Sequence, residues 1–378
     1  MLYPHTNTSP QMRSTYLSLA LCACGILTNI LNISVFSRSS MKTPVNRIFL
    51  ALAGIDLSFL TFWALHVSLQ SFQPGYSQTC SESWRLQTTR LVLYHLNWEL
   101  HISNVLTTTS LSVIRYVFVC RRQFSTKMFT YAQAKITIVS VVVGAVLLHI
   151  PVIVKLEVTR WGHSNHSSDS YYYCLLTSQL FRDHTGVFIV LESSAFFSVK
   201  IIPCLVLTYT SISLIHHLHK SAKRRVQVGI RTEHSTTNTE LRSTVMILCV
   251  VLVSILTQTP NGILGVAVKA EQWFGGRAGG KDSTYWWDVY TSASPWFDGL
   301  TIVNTVINFP VYCMTSKQFR SSLRTVCCTS TSSCMAVVGT SWGRKQTSWW
   351  KMMVNSRSSA GSSTSTTRSS RTYSSTDV

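Results

Sequence analysis

The sequence predicts an all-α protein, a bundle of seven transmembrane helices. Three observations carry that expectation. The 378 residues are 46% hydrophobic but only 12% charged, about half the charged share of soluble domains. Seven apolar runs approach the roughly 20 residues that cross a bilayer core as a helix. The net charge of +19 collects in alternate connections between those runs. So basic a chain first suggests nucleic acid, but basic loops on one side of a membrane account for both numbers together. With 17 glycines, 11 scattered cysteines and 11% aromatics, collagen, a disulfide scaffold and wholesale disorder are excluded.

The spans follow in order: 16–36, 44–69, 86–120, 134–154, 187–218, 241–268 and 288–314. The third holds His95, Glu99, His101 and Asn104. Polar content of that kind suits a helix facing a bundle interior. Pro151, Pro203, Pro260 and Pro310 fall inside spans, where neighbouring helices re-satisfy the freed backbone groups. Residues 1–15 precede the seven-span region 16–314. Residues 315–328 mix basic and apolar side chains at helical spacing, as in an amphipathic helix lying on the membrane. Residues 329–378 are rich in Ser and Thr and are expected to be disordered.

Orientation follows from the short loops. Arg38 and Lys42, then Arg121, Arg122 and Lys127, then Lys220, Lys223, Arg224, Arg225 and Arg231, then Lys317, Arg320 and Arg324 share one side. On the other side signs cancel, as in Arg85 with Glu82 or Arg160 with Glu157. The amino terminus is therefore expected outside and the carboxyl terminus inside. Two N-glycosylation sequons, at Asn7 and Asn165, fall on the outside by this assignment. Only Cys80 and Cys174 lie in outside loops, where disulfides persist. Pairing of the two is predicted, the alternative being two free thiols. Cys327 and Cys328 follow the amphipathic stretch as candidate palmitoylation sites.

Short motifs then appear in a fixed order. They are Asn29 in span one, Leu52-Ala53-Gly54-Ile55-Asp56 in span two, and Ile114-Arg115-Tyr116 ending span three. Lys200-Ile201-Ile202-Pro203-Cys204, Pro260-Asn261-Gly262-Ile263-Leu264 and Asn308-Phe309-Pro310-Val311-Tyr312 follow. Over residues 28–324 the chain resembles rhodopsin-like (class A) G-protein-coupled receptors. Within them it is similar to the invertebrate myosuppressin, FMRFamide-like and sex-peptide receptor group. It departs from the common pattern by Ile114 for an acid, Phe309 for the Pro, and Gln258 where span six usually has Trp. The usual span-three Cys would fall near Arg90.

The resemblance implies a plasma-membrane receptor for an extracellular amidated neuropeptide, coupled to a heterotrimeric G protein. The alternatives are another small ligand on the same fold, or a seven-span channel or transporter. The group's peptides end in Arg-Phe-amide. A carboxylate at Asp298, Glu99 or Glu192 can take the Arg, and Trp296, Tyr290 or Trp98 can pack the Phe. Asn29, Asp56, Asn304, Asn308 and Tyr312 form the implied polar switch network, with a sodium ion near Asp56. Arg115, Tyr116, Lys223, Arg224 and Arg225 are implied G-protein contacts. Ile114 removes the acid beside Arg115, so a looser resting state is expected. Arrestin through the tail and membrane lipid complete the partners; nucleic acid is not among them. No catalytic motif of the hydrolase, metalloprotease or P-loop kind is present. His216, His217 and His219 read as interfacial histidines rather than metal ligands.

Overall fold

The computed structural model describes residues 8–71, 80–120, 129–165, 168–227, 235–274 and 285–330. The order is α1 (Thr8–Phe36), a 3-10 turn (Ser39–Met41), α2 (Pro44–Ser71), β1 (Cys80–Ser81), α3 (Trp84–Cys120) and α4 (Tyr131–Lys155). Next come β2 (Leu156–Asn165), β3 (Ser168–Thr177), α5 (Gln179–Asp183), α6 (Thr185–Phe196), a π-helical turn (Phe197–Ile201) and α7 (Ile202–Gln227). The chain continues as α8 (Ser235–Phe274), α9 (Tyr285–Val306), α10 (Asn308–Thr315) and α11 (Lys317–Ser330). The bundle belongs to one compact unit, Met1–Leu323. Of the second unit, Arg324–Val378, the structure describes the end of α11.

All seven predicted spans are helical. Helices α1, α2, α3, α4 and α8 each form one, α6 and α7 together form the fifth, and α9 with α10 forms the seventh. Six are long and apolar enough to cross a membrane by composition alone. The seventh is more polar, with Asp288, Asp298 and Pro295 in α9. The first candidate span, Thr15–Phe36, agrees with the predicted start at residue 16, and α1 extends ahead of it to Thr8.

Two proline effects shape the long helices. Pro203 has no N–H to give to the carbonyl four residues back, and the turn before it widens: Ile202 N–H bonds to Phe197 O, five residues back. Pro310 is the third residue of α10, where a first-turn N–H has no helical partner to lose. The seventh span breaks at Ile307 accordingly. At the start of α4, Thr130 and Gln133 form a reciprocal capping box.

Burial is inverted relative to a water-soluble domain. Leu256 is 72% exposed, Leu205 66% and Ile136 63%, whereas Asp56 and Asn29 are 0% exposed. Apolar side chains that face outward along spanning helices suit hydrocarbon, and polar ones must find partners inside. Close packing holds the interior. A Cβ on Gly25 would stand 2.6 Å from Leu60 and 2.8 Å from Val306, so glycine is what lets α1 approach α2 and α9. Phe36, Phe49, Tyr312 and Phe319 pack as a ring cluster, with centroids 5.3 to 5.6 Å apart. It joins α1, α2, α10 and the first turn of α11.

One end of the bundle carries a three-stranded antiparallel sheet in the order β1-β3-β2. Strands β2 and β3 pair from Leu156↔Thr177 to Asn165↔Ser168. Strand β1 adds to β3 with Cys80 opposite Cys174, and the two form a disulfide. The predicted pairing is thus present. Arg90, near the place of the family's usual cysteine, is buried instead, and its guanidinium donates to Leu69 O at 3.1 Å.

Candidate functional site

Asp56 lies at the centre of the bundle. Its Oδ1 accepts from Asn104 Nδ2, and its Oδ2 accepts from Asn308 Nδ2 at 2.8 Å. The carboxylate thereby links α2, α3 and α10. Close by in the chain, Ser254 on α8 donates to Asn304 Oδ1 on α9 at 3.1 Å. A small cavity touches both pairs: Asn104, Ser254 and Asn304 line it together with Lys200, Cys204 and Gln258. Asn29 stands apart from these bonds. It donates to Gly25 O within α1 and accepts from Asn32. The ring of Tyr312 is buried in the aromatic cluster. The structure therefore brings Asp56 and Asn308 together, sets Asn304 on the adjacent cavity, and adds Asn104, which the implied network lacked.

Toward the sheet end, Lys200 projects from the π turn into the interior and is 4% exposed. Its Nζ lies 2.7 Å from His101 Nε2 and donates to Gln258 Oε1 at 3.1 Å. The Trp98 ring is 5.9 Å away. One amine thus gathers the third, fifth and sixth spans, and Asp298 on α9 lies within its electrostatic range. Tyr290, also on α9, donates to Asn261 Oδ1 at 3.3 Å.

The other two candidate acids have partners. Glu192 accepts from Lys155 at 3.1 Å and pairs with Lys269 at 3.2 Å, tying α4, α6 and α8. Glu99 pairs with His149 on α4 at 3.4 Å, and His149 in turn meets His95 at 3.5 Å. Trp296 is 78% exposed, on the outside of α9 rather than beside Asp298.

The sequence model of the serpentine type 7TM GPCR chemoreceptor family, Srw, matches residues 16–330. The chain belongs to that family. Among curated proteins the receptor is similar to the G-protein coupled receptor dmsr-1 of Caenorhabditis elegans, at 23% identity over 82% of this chain and 67% of that one. It is similar to the Drosophila melanogaster sex peptide receptor at 22%, over 80% of this chain and 69% of that one. The Drosophila melanogaster FMRFamide receptor is 25% identical over 61% of this chain, which spans 41% of it. The receptor is therefore a multi-pass membrane protein, and a channel or transporter is set aside.

At the other end of the receptor, Tyr116 Oη meets Tyr209 Oη at 3.4 Å, joining α3 to α7. Arg115 sits half-buried one residue earlier. Lys223, Arg224 and Arg225 extend α7, and their side chains lie outside the described residues. Cys327 is half-buried on α11 and free; Cys328 is on the same helix with its side chain undescribed. Asn165 ends β2, again without a described side chain. Asn7 and the tail beyond Ser330 lie outside the described residues.

In the sequence Lys200 and His101 stand out only as members of short motifs. Their pairing joins residues 99 positions apart. The one linear signal available was a lysine three residues before a proline in an otherwise apolar span.

Proposed function

We propose that this receptor binds an extracellular amidated neuropeptide of the FMRFamide or myosuppressin kind and activates a heterotrimeric G protein. The observation that carries the reading is Asp298: of the three candidate acids it alone has no Lys, Arg or His nitrogen within 4.0 Å among the described residues. Its carboxylate is available to an arginine of the ligand. Trp98 on α3 and Tyr290 on α9 offer rings that can pack an aromatic side chain. The names of two relatives, FMRFamide receptor and sex peptide receptor, support a peptide ligand.

The sheet end is then extracellular, with glycans on Asn7 and Asn165. Arg115, Tyr116 and the Lys223-Arg224-Arg225 run meet the G protein inside. Palmitoyl groups on Cys327 and Cys328 hold α11 at anionic lipid, and the Ser/Thr-rich tail recruits arrestin once phosphorylated. The Asp56 cluster couples the two ends. Its groups fit a sodium ion: the Asp56 oxygens keep lone pairs beyond their amide partners, and Ser254 and Asn304 add oxygen donors, the atoms hard cations take. Sodium, when bound there, supplies positive charge to the carboxylate.

The test is a panel of amidated peptides applied to cells expressing the receptor, read as calcium or cAMP change. A response to Arg-Phe-amide peptides is expected. Asp298→Asn should cost about 2–5 kcal/mol of ligand interaction, the usual loss when a buried charge partner is removed. Unchanged peptide potency in that variant would remove Asp298 from the pocket. A response confined to small non-peptide odorants would favour the chemosensory role in the family's description.

A further inference from the structure

Glu192 holds two cations on one oxygen. Its Oε1 accepts from Lys155 Nζ at 3.1 Å and pairs with Lys269 Nζ at 3.2 Å. The two ammonium groups therefore stand no further apart than those lengths laid end to end. Lys155 also donates to Oε2 at 3.1 Å, and Lys269 donates to Gln272 Oε1 at 3.2 Å. An ammonium has three donors, so each lysine keeps one N–H beyond these bonds. Among the described residues no other acid lies within 4.0 Å of either amine. Two positive charges thus share one negative charge. The side chains are set back from solvent, Lys269 at 10% exposure, Glu192 at 22% and Lys155 at 33%. Charge withdrawn from water calls for a counter-charge. The Phe181 ring, 5.5 Å from Lys155, offers its quadrupole and no charge.

We propose that Lys155 and Lys269 form a site for one monovalent anion, supplied by a carboxylate of the bound peptide or by chloride from the medium. The peptide source rests on the peptide reading above; the chloride source does not. One negative charge balances the cluster, and the spare N–H of each lysine gives it two charge-assisted bonds. The place is open to a ligand from the sheet end, because Lys155 closes α4 and β2 begins at the next residue. Three helices, α4, α6 and α8, supply the groups, so an anion here also draws the fourth, fifth and sixth spans together. A peptide without an acid, such as FMRFamide, leaves the site to chloride.

The test uses the full-length receptor with an amino-terminal epitope tag, and surface staining sets equal receptor numbers. The probes are FMRFamide and acetyl-capped versions lengthened at the amino end by one to four residues, led by Asp or by Asn. In the wild type the Asp form should be about tenfold more potent than the Asn form at one spacing, between the exposed and buried limits for a charge pair. Lys155→Met leaves Glu192 balanced by Lys269. It should bring the two forms within about threefold and leave FMRFamide unmoved. If that variant does not reach the surface, Lys155→Gln, which keeps a polar end for Glu192, takes its place. The second arm needs no peptide. Thermal unfolding of the detergent-solubilised receptor is compared in chloride and in gluconate. A rise of about 2 °C or more in chloride, absent in the Lys155 variant, assigns the site to chloride. Neither an Asp preference nor a chloride shift in the wild type overturns the site and keeps the peptide reading, as does either effect persisting in the Lys155 variant. A receptor that answers no amidated probe overturns the peptide reading, and the unfolding arm then decides the site alone.

Discussion

Glu192 illustrates how a side chain's role is set by what other helices bring to it. Read along the chain, it is an intramembrane acid and a candidate for a ligand's arginine. In the bundle it lies between Lys155 and Lys269, two cations on helices that adjoin it only after folding. Glu99 is likewise met by His149. Linear sequence flags an acid in a span, but its counter-charge lies 37 and 77 residues away in the Glu192 case. Glu192→Gln should therefore lower the thermal stability of the detergent-solubilised receptor, by about 1–2 kcal/mol, between the surface and buried limits for ion pairs. Peptide potency on intact cells should stay unchanged. A potency loss without a stability loss would return Glu192 to the ligand pocket.

Hydropathy marks six of the seven helical spans, because a run of about 20 apolar residues has few other uses; the seventh is too polar to stand out on it alone. The ends were less visible. Helix α1 begins eight residues before the predicted span, in a polar stretch that carries no apolar signal. The β2–β3 hairpin was not foreseen, although Leu156-Glu157-Val158-Thr159 alternates and Tyr171-Tyr172-Tyr173 favours a strand. That hairpin positions Cys174 against Cys80 in register, so the disulfide fastens a strand pair and leaves α3 to be held by Arg90. Replacing both cysteines by serine should reduce stability by about 2–4 kcal/mol, the usual worth of a native disulfide, and lower surface expression. Cell-surface staining and thermal unfolding before and after reduction would measure it. Equal stability of oxidised and reduced receptor would make the crosslink dispensable.

For the molecule as a whole, charge sorting gave a direction that now rests on an accessible experiment. If the sheet end is extracellular, Asn7→Gln and Asn165→Gln should each remove one endoglycosidase-sensitive step in apparent mass. A tag at the amino terminus should be reachable on unpermeabilised cells, and one at the carboxyl terminus should not. Glycans on neither site, with a protected amino terminus, would reverse the orientation. Motif order was enough to identify the family, because each motif sits at a helix position that packing constrains, as Asp56 with Asn308 shows. It did not expose Asn104 or Lys200 as hubs, since each works through residues on other spans.

The π turn at Phe197–Ile201 has one more effect. It inserts a residue into the helical count of the fifth span, and an α-helix advances by about 100° per residue. Everything before the turn, Glu192 and Ser193 included, is rotated by about that angle from where an unbroken helix would aim it. Ser193 thereby meets Trp273 at 3.1 Å, and Glu192 its two lysines. A relative with a regular α-helix there would show the same letters in a different direction. Mutational results on the outer half of its fifth span would then transfer to this receptor only after a shift of one position, whereas those beyond Pro203 would transfer directly.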